Sequence, residues 1–305
     1  MTSILRLVTA AWLLLAVGPA HAILDVFACE PEWGALVAEI AGARAKVYVA
    51  TTAMQDVHRI QARPSLIARA RTADLLICTG ADLEIGWLPL VRNQSGNDRI
   101  QLGRPGSFEV APLVPRIDVP ATVDRALGDT HPMGNPHVQF GPAQIQRAAT
   151  ELARRLAAID GAGDAEYKAR LDDFTRRWGE ATERWAKLGA PLKGVAVIQY
   201  HKNFNYLFAF LGMREVGSLE PKPGVEPSSS HLNTLASQQK TDPARLILRA
   251  SYHSRAAADW LAERTGLPSL ELPATVGGSP AAKDLFGLYD DTIQRMLAAL
   301  KGRGG

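Results

Sequence analysis

The sequence predicts an α/β protein with two doubly wound parallel-sheet lobes joined by a long inter-lobe helix. Short apolar runs of strand type alternate with segments of helical spacing, once before residue 110 and again after residue 190. This alternation is typical of parallel sheets that are covered by helices on both faces. Because the alternation occurs in two separate blocks, we expect two lobes rather than one large sheet.

Each lobe is predicted from four apolar runs, which are separated from one another by residues typical of turns or by helical segments. In the first lobe the runs are residues 24–29, 46–51, 74–79 and 99–102, with helical spacing at 33–41 and 65–72. In the second lobe they are residues 194–200, 213–218, 244–249 and 269–272, with a helix at 254–265 that Gly266 ends. We therefore divide the mature chain into an N-terminal lobe at 23–141, inter-lobe helices at 142–190 and a C-terminal lobe at 191–305.

Two amphipathic segments lie between the lobes. Pro142 suits a helix N-terminus, and the apolar stripe that follows it consists of Ile145, Ala148, Leu152, Leu156 and Ile159. The second stripe runs through Tyr167, Leu171, Phe174, Trp178, Trp185 and Leu188. At ~1.5 Å per residue its roughly 22 residues span about 33 Å, enough to follow both lobes as a strut. The alternative is an ordinary surface helix within one lobe.

Residues 1–22 are typical of a cleavable secretory signal. Arg6 precedes an apolar run at 7–17, and the small-residue sequence Ala20-His21-Ala22 predicts cleavage near Ala22. We therefore expect a periplasmic protein. The formal net charge of the whole chain is only +3, and no Lys/Arg block is interleaved with aromatic residues. These features exclude the usual nucleic-acid binders, and we expect a monomer with no nucleic-acid partner.

The chain contains two cysteines, Cys29 and Cys78, each late in a predicted strand. In an oxidising compartment an even number of cysteines favours a disulfide bond. A free buried pair is the alternative.

Three histidines occupy informative positions. His58 follows the predicted strand at 46–51, His201 follows the strand at 194–200, and His137 lies in a turn-rich stretch just before the inter-lobe helices. Loops at the carboxyl ends of parallel strands are where open α/β sheets bind ligands. Because imidazole is the commonest metal ligand, these positions make a metal site between the lobes a hypothesis worth testing.

Several segments of the chain resemble the metal-binding receptors of ABC transporters that serve zinc and manganese uptake. The similar segments are Asp56-Val57-His58 with Arg63-Pro64-Ser65, residues 73–84, Asn135-Pro136-His137 and His201-Lys202-Asn203-Phe204-Asn205-Tyr206-Leu207. Val57 stands where the family usually has proline. The long histidine-rich loop that zinc receptors often carry is reduced here to His131. The resemblance covers nearly the whole mature chain.

The resemblance implies a ligand set of His58, His137, His201 and Asp284. The last residue lies in residues 283–289, which resemble the family's C-terminal Asp-x-Tyr segment. Asp290, Asp291 or a water molecule are alternatives for this fourth position, and all three acids could instead stand on a solvated helix start. His131 is either an auxiliary contact for entering zinc or an exposed side chain.

The resemblance also implies the function. Three imidazoles favour Zn²⁺ over Mn²⁺, so we expect a periplasmic solute-binding protein, not an enzyme, that delivers Zn²⁺ to the membrane permease of an ABC transporter. A periplasmic metal carrier is a second expected partner. The alternatives are a manganese receptor or adhesin and a zinc hydrolase with an open fourth position. The hydrolase has no support from a His-Glu-x-x-His or Gly-x-Ser-x-Gly motif.

Overall fold

The computed structural model describes residues 23–121 and 131–302, so the predicted signal at 1–22 lies outside the described residues. The N-terminal lobe is a four-stranded parallel sheet in the order β2-β1-β3-β4. Its strands are β1 (Leu24–Ala28), β2 (Ala45–Val49), β3 (Leu75–Cys78) and β4 (Ser107–Glu109). Its helices are α1 (Pro31–Ala41), α2 (Pro64–Thr72) and α3 (Leu88–Ser95).

Helices cover both faces of this sheet because the strand side chains alternate. Val26 and Ala28 join the core that contains α1, whereas Phe27 and Cys29 join the core beneath α2 and α3. Every residue of β3 is buried. Apolar side chains on both faces are expected of a parallel strand in a doubly wound sheet.

The C-terminal lobe repeats the arrangement with a parallel sheet in the order β6-β5-β7-β8. Its strands are β5 (Ala196–Gln199), β6 (Arg214–Ser218), β7 (Leu246–Ala250) and β8 (Ser269–Leu272). Its helices are α6 (Asn205–Leu211), α7 (Ser229–Gln238), α8 (Ala256–Thr265) and α9 (Leu285–Lys301). Two lobes of this type confirm the predicted fold class.

The fourth strand of the first lobe is not where the sequence predicts it. Residues 99–102 do not form a strand, since Asp98–Ile100 is a 3₁₀ turn, and β4 instead pairs with β3 so that Phe108 faces Ile77. The side chain of Asn97 accepts a hydrogen bond from the Arg99 amide and donates to two carbonyls near the end of α2. This capping favours a turn, and Ile100 fills the core as a single apolar residue.

Two helices connect the lobes, α4 (Pro142–Ile159) and α5 (Asp164–Leu188). The 25 residues of α5 span about 37 Å at ~1.5 Å per residue. The helix packs against α1 of the first lobe and α9 of the second. Trp178 and Trp185 are buried and contact the ring of Tyr289 on α9. The predicted inter-lobe strut is confirmed.

A disulfide bond joins Cys29 and Cys78, whose Cα atoms lie 4.8 Å apart. It connects the end of β1 with the end of β3, two neighbouring strands of the first sheet. Both cysteines are completely buried. The predicted disulfide is confirmed. Among residues 23–121 and 131–302, no helix is both long and apolar enough to span a bilayer.

Candidate metal centre

His58, His137 and His201 converge at the junction of the two lobes. One ligand atom from each lies within 4.8 Å of the other two. The ring centroids are 5.7 Å apart for His58 and His137, 5.3 Å for His58 and His201, and 5.1 Å for His137 and His201. The structure therefore brings together the three histidines that the sequence singles out.

Local structure positions each ring. His58 stands in the 3₁₀ turn Val57–Arg59 that follows β2, and His201 lies two residues after the end of β5. His137 precedes the 3₁₀ turn Val138–Phe140, which leads into α4. Two ligands thus leave carboxyl ends of parallel strands, and the third comes from the segment that enters the inter-lobe helices.

Each ring is oriented by a hydrogen-bond acceptor at its Nδ1 atom. The distances are 2.8 Å from His58 to Asp56 Oδ1, 2.9 Å from His137 to Asn135 Oδ1, and 2.7 Å from His201 to Glu220 Oε2. These oxygens can only accept hydrogen bonds. In a neutral imidazole the proton therefore lies on Nδ1, and Nε2 keeps its lone pair. Acceptors of this kind are the usual partners of metal-ligating histidines.

Two of the acceptors also fold the backbone around their histidine. Asp56 Oδ1 accepts from the His58 amide at 3.0 Å, and Asn135 Oδ1 accepts from the His137 amide at 3.0 Å. One Asp or Asn side chain thereby fixes both the turn and the ring two residues later. The sequence pattern Asx-x-His at residues 56–58 and 135–137 encodes this geometry.

His131 lies beside the three histidines. Its Nε2 atom is 3.2 Å from Nε2 of His58, and its Nδ1 atom is 3.0 Å from the carbonyl oxygen of Ala81. The carbonyl can only accept, so Nε2 of His131 also keeps its lone pair. Two nitrogens on one tetrahedral Zn²⁺, each bound at about 2.0–2.1 Å, would lie about 3.3 Å apart. The spacing of these two nitrogens is that of a ligand pair. The group whose ligand atoms all lie within 4.8 Å of one another, however, consists of His58, His137 and His201 and does not include His131.

The backbone that accepts from His131 has an unusual conformation. Gly80, Ala81 and Asp82 have φ angles of 76°, 52° and 65°, so three consecutive residues occupy the left-handed region. Non-glycine residues seldom adopt this conformation, and such strain is concentrated at functional sites. Glu84 stabilises the segment by accepting from the amides of Thr79 and Gly80.

Burial keeps two of these imidazoles neutral. Burial, followed by repulsion from His58 and His201, lowers the pKa of His131 to about 3, and it lowers the pKa of His137 well below its usual range. Burial by itself would raise the pKa of Asp56, but its hydrogen bonds to the ring and the amide of His58 bring it to about 2. Neutral rings beside ionised Asp56 are the form that binds a cation.

The structure does not place Asp284 in this centre. Asp284 is exposed at the N-cap of α9, where its carboxylate accepts from the Gly287 amide at 2.7 Å. Asp290 accepts from Trp185 at 2.7 Å, and Asp291 forms an ion pair with Arg295 at 2.7 Å. The helix-start alternative describes Asp284 best, because aspartate at an N-cap satisfies a free amide.

A cleft with a volume of about 500 Å³ reaches the histidines. Its lining includes His131, His137 and His201, together with Lys202 and Glu220. Several imidazole nitrogens lie close together in a cleft between two α/β lobes. This arrangement is typical of a two-lobed metal-binding protein. Within the described ranges, His58, His137 and His201 are the histidines whose ligand atoms lie close enough together to hold a metal ion.

The chain belongs to the family described as zinc-uptake complex component A, periplasmic (ZnuA). The model of that family matches residues 26–301. The high-affinity zinc uptake system protein ZnuA of Yersinia pestis is 21% identical over 243 residues, which are 75% of this chain and 76% of that protein. The resemblance to a zinc-type receptor of ABC transporters is confirmed at the level of the family.

Solved structures show the same fold. A crystal structure of ZnuA superposes with a TM-score of 0.75 at 18% identity and covers 90% of this chain and 98% of that chain. The Cd-bound periplasmic metal-binding protein of Candidatus Liberibacter asiaticus gives a TM-score of 0.73 at 17% identity, over 91% and 99% of the two chains. At these identities the likeness establishes the architecture, and the chemistry has to be argued from the site.

Proposed function

We propose that this protein captures Zn²⁺ between its lobes and delivers it to the membrane permease of an ABC transporter. The observation that carries the proposal is the meeting of His58, His137 and His201 within 4.8 Å, with every Nδ1 held by an acceptor. The ligands come from both lobes, so a bound ion links them. The role requires export, for which residues 1–22 are the proposed signal.

The donor set favours zinc over manganese. The proposed ligands are nitrogen atoms, and no carboxylate is grouped with the three histidines in the described part of the chain. Imidazole suits the borderline-soft Zn²⁺, whereas Mn²⁺ prefers carboxylate and carbonyl oxygen. This chemistry argues against the manganese-receptor alternative.

His131 is the proposed fourth ligand, in place of Asp284. Its free nitrogen stands at ligand spacing from His58, and its ring is fixed by Ala81. Four protein ligands close a tetrahedral site, whereas a catalytic zinc keeps one position for water or substrate. A closed site supports transport rather than hydrolysis.

The two candidates for the fourth ligand can be separated by mutation. We expect His131→Ala to weaken zinc binding by one to two orders of magnitude, about 1.4 to 2.8 kcal/mol, because it removes a nitrogen ligand. Asp284→Asn should leave the affinity unchanged, since asparagine is an equally good N-cap residue. Competition titration against a chromogenic chelator measures both. A large loss at Asp284 with none at His131 would restore the set that the resemblance implies.

Hydrogen bonds between the lobes suggest how the ion leaves. Ser251 donates to the Ala53 carbonyl at 3.1 Å, Gln139 donates to the Ala274 carbonyl at 3.1 Å, and Asn135 donates to the Lys202 carbonyl at 2.9 Å. These contacts join the two lobes, and α5 packs against helices of both. We infer that zinc is released by local movement around the histidines, with little separation of the lobes.

Zinc uptake by cells tests the transport role. In a strain that lacks this protein, we expect the wild-type gene to restore growth and ⁶⁵Zn accumulation under chelator stress. A variant with His58, His137 and His201 all replaced by alanine should be exported equally well and restore neither. If the wild-type protein binds zinc and leaves uptake unchanged, its role is buffering, or transfer to a periplasmic carrier.

A further inference from the structure

A second, smaller cavity lies behind the histidine centre. It has a volume of about 30 Å³, and His58 and His137 form part of its wall. The rest of the lining includes Glu30, Gln139 and Asn203. A space of this size holds one or two water-sized ligands. The cavity is separate from the open cleft that reaches the histidines.

The cavity collects buried oxygen atoms that have no hydrogen-bond partner. Across residues 23–121 and 131–302, the buried side-chain oxygens without a partner are Glu30 Oε1, Gln139 Oε1 and Asn203 Oδ1, and all three residues line this cavity. Their exposed fractions are 2%, 5% and 1%. Buried polar atoms almost always have partners, so these oxygens around one space indicate that it takes a ligand, either water or an ion.

The two amides are anchored through their nitrogen atoms. Gln139 Nε2 donates to the Ala274 carbonyl at 3.1 Å, and Asn203 Nδ2 donates to the Tyr252 hydroxyl at 2.9 Å. Rotating the Gln139 amide by half a turn would place its oxygen against the carbonyl oxygen of Ala274, and two acceptors cannot form a hydrogen bond. The Gln139 oxygen is therefore a free end, and the Asn203 oxygen is one when the amide nitrogen donates to the Tyr252 hydroxyl, which can itself donate as well as accept.

The threonine hydroxyl groups that line the cavity are already used as donors, whereas the Tyr252 hydroxyl accepts from Asn203 and can still donate. Thr51 donates to the Cys29 carbonyl at 2.8 Å, Thr52 contacts Gln55 Oε1 at 3.2 Å, and Thr275 donates to the carboxylate of Glu32. The cavity thus has more acceptors than donors. A cation satisfies several acceptors at once.

Buried carboxyl groups add negative charge to this region. Glu30 and Glu32 line the cavity, and Glu30 comes close enough to Glu84 for a hydrogen bond that needs a proton on one of them. Burial, then the charges of Glu84 and Glu32, raises the pKa of Glu30 well above its ordinary value. Burial also raises the pKa of Glu32 to about 7. Groups that resist ionisation when alone can ionise beside a cation.

We propose that this cavity is a second cation site, which takes one hard divalent ion through oxygen ligands from Glu30, Gln139 and Asn203. The ion binds with one or two water molecules, and the proton held by the Glu30 and Glu84 carboxyls leaves as it enters. Carbonyl and carboxylate oxygens select Mg²⁺, Ca²⁺ or Mn²⁺ rather than Zn²⁺. The site is distinct from the histidine centre and shares a wall with it.

Manganese provides a direct probe, because free and bound Mn²⁺ differ in their electron paramagnetic resonance signals. The protein is first loaded with zinc, and one zinc per chain is verified by elemental analysis. Titration with Mn²⁺ should then show one additional bound ion per chain, with no zinc released to a chelating dye. Zinc loading is scored separately, so failure of the histidine centre is distinguished from failure of the second site.

Variants assign the bound Mn²⁺ to the cavity. Glu30→Gln keeps the side-chain size and should lower Mn²⁺ affinity at least tenfold while one zinc still binds. Gln139→Met, which removes an oxygen, should weaken Mn²⁺ binding in the same way. Glu151→Gln, at a carboxylate that is paired with Arg154 on α4, is the matched control and should bind Mn²⁺ normally.

Two results would overturn the second site. One is the absence of Mn²⁺ binding to the zinc-loaded wild type up to about 1 mM, the weak end of extracellular oxygen-ligand sites. In that case the cavity holds water and a shared proton. The other is unchanged Mn²⁺ binding by both folded cavity variants, which places the ion elsewhere.

Discussion

Replacing His58, His137 and His201 together by alanine should abolish stoichiometric zinc binding. Each residue is proposed to contribute one nitrogen ligand to a single centre, so each single replacement should already weaken binding by about a hundredfold or more, ~2.8 kcal/mol or more. Elemental analysis after dialysis measures the triple variant, and competition titration measures the single ones. The direct reason is loss of a ligand whose orientation is fixed by Asp56, Asn135 or Glu220.

His231 provides the matched control for these replacements. Its Nε2 atom is hydrogen-bonded to the Ser218 carbonyl at 2.8 Å, and His231 does not belong to the three-histidine group. His231→Ala should therefore bind zinc like the wild type. If the triple variant keeps one tightly bound zinc, the metal lies elsewhere and the proposed centre is wrong.

Removing the Cys29–Cys78 disulfide should cause the largest loss of stability. The bond spans a sequence separation of 49 residues, and the chain-entropy model gives about 4 kcal/mol for closing a loop of this length. We expect Cys29→Ala/Cys78→Ala to lower the free energy of unfolding of the zinc-free protein by up to that amount. Denaturant titration measures the difference in free energy of unfolding between the double variant and the unreduced wild type. The wild type should be the more stable because its unfolded chain stays cross-linked.

The reduced wild-type protein is the control for the double variant. Both lack the cross-link, so their unfolding midpoints should lie close together and well below that of the oxidised protein. A double variant that is as stable as the oxidised wild type would show that strain in the native state offsets the entropic gain.

Much of the fold follows from local patterns that the sequence displays directly. Alternating apolar runs predict seven of the eight strands found in the described part of the chain because each run fills a buried core, and the aromatic stripe of α5 predicts the inter-lobe helix. The missed strand, β4, has only three residues. Its pairing depends on β3 next to it, and the preceding Asn97 cap converts the predicted run into a turn.

The site was predictable only in part, for a physical reason. His58, His137 and His201 stand next to strand ends or in an Asx-x-His turn, both of which are local features. His131 has no such signal, because its acceptor is a carbonyl 50 residues earlier in the chain. The sequence alone points to Asp284 because an acid at a helix start resembles a ligand in sequence, whereas in the structure its carboxylate accepts from the Gly287 amide as the cap of α9.

The largest apolar core among the described residues extends across the boundary between the two lobes. One continuous cluster contains Val26 and Ile77 from the first sheet, Val197 and Leu248 from the second, and the buried aromatic residues of α5. Neither sheet can therefore bury its inner face when the other half is removed. We therefore expect residues 23–121 and 131–141 not to fold on their own, and we expect thermal unfolding to couple both halves in one cooperative transition.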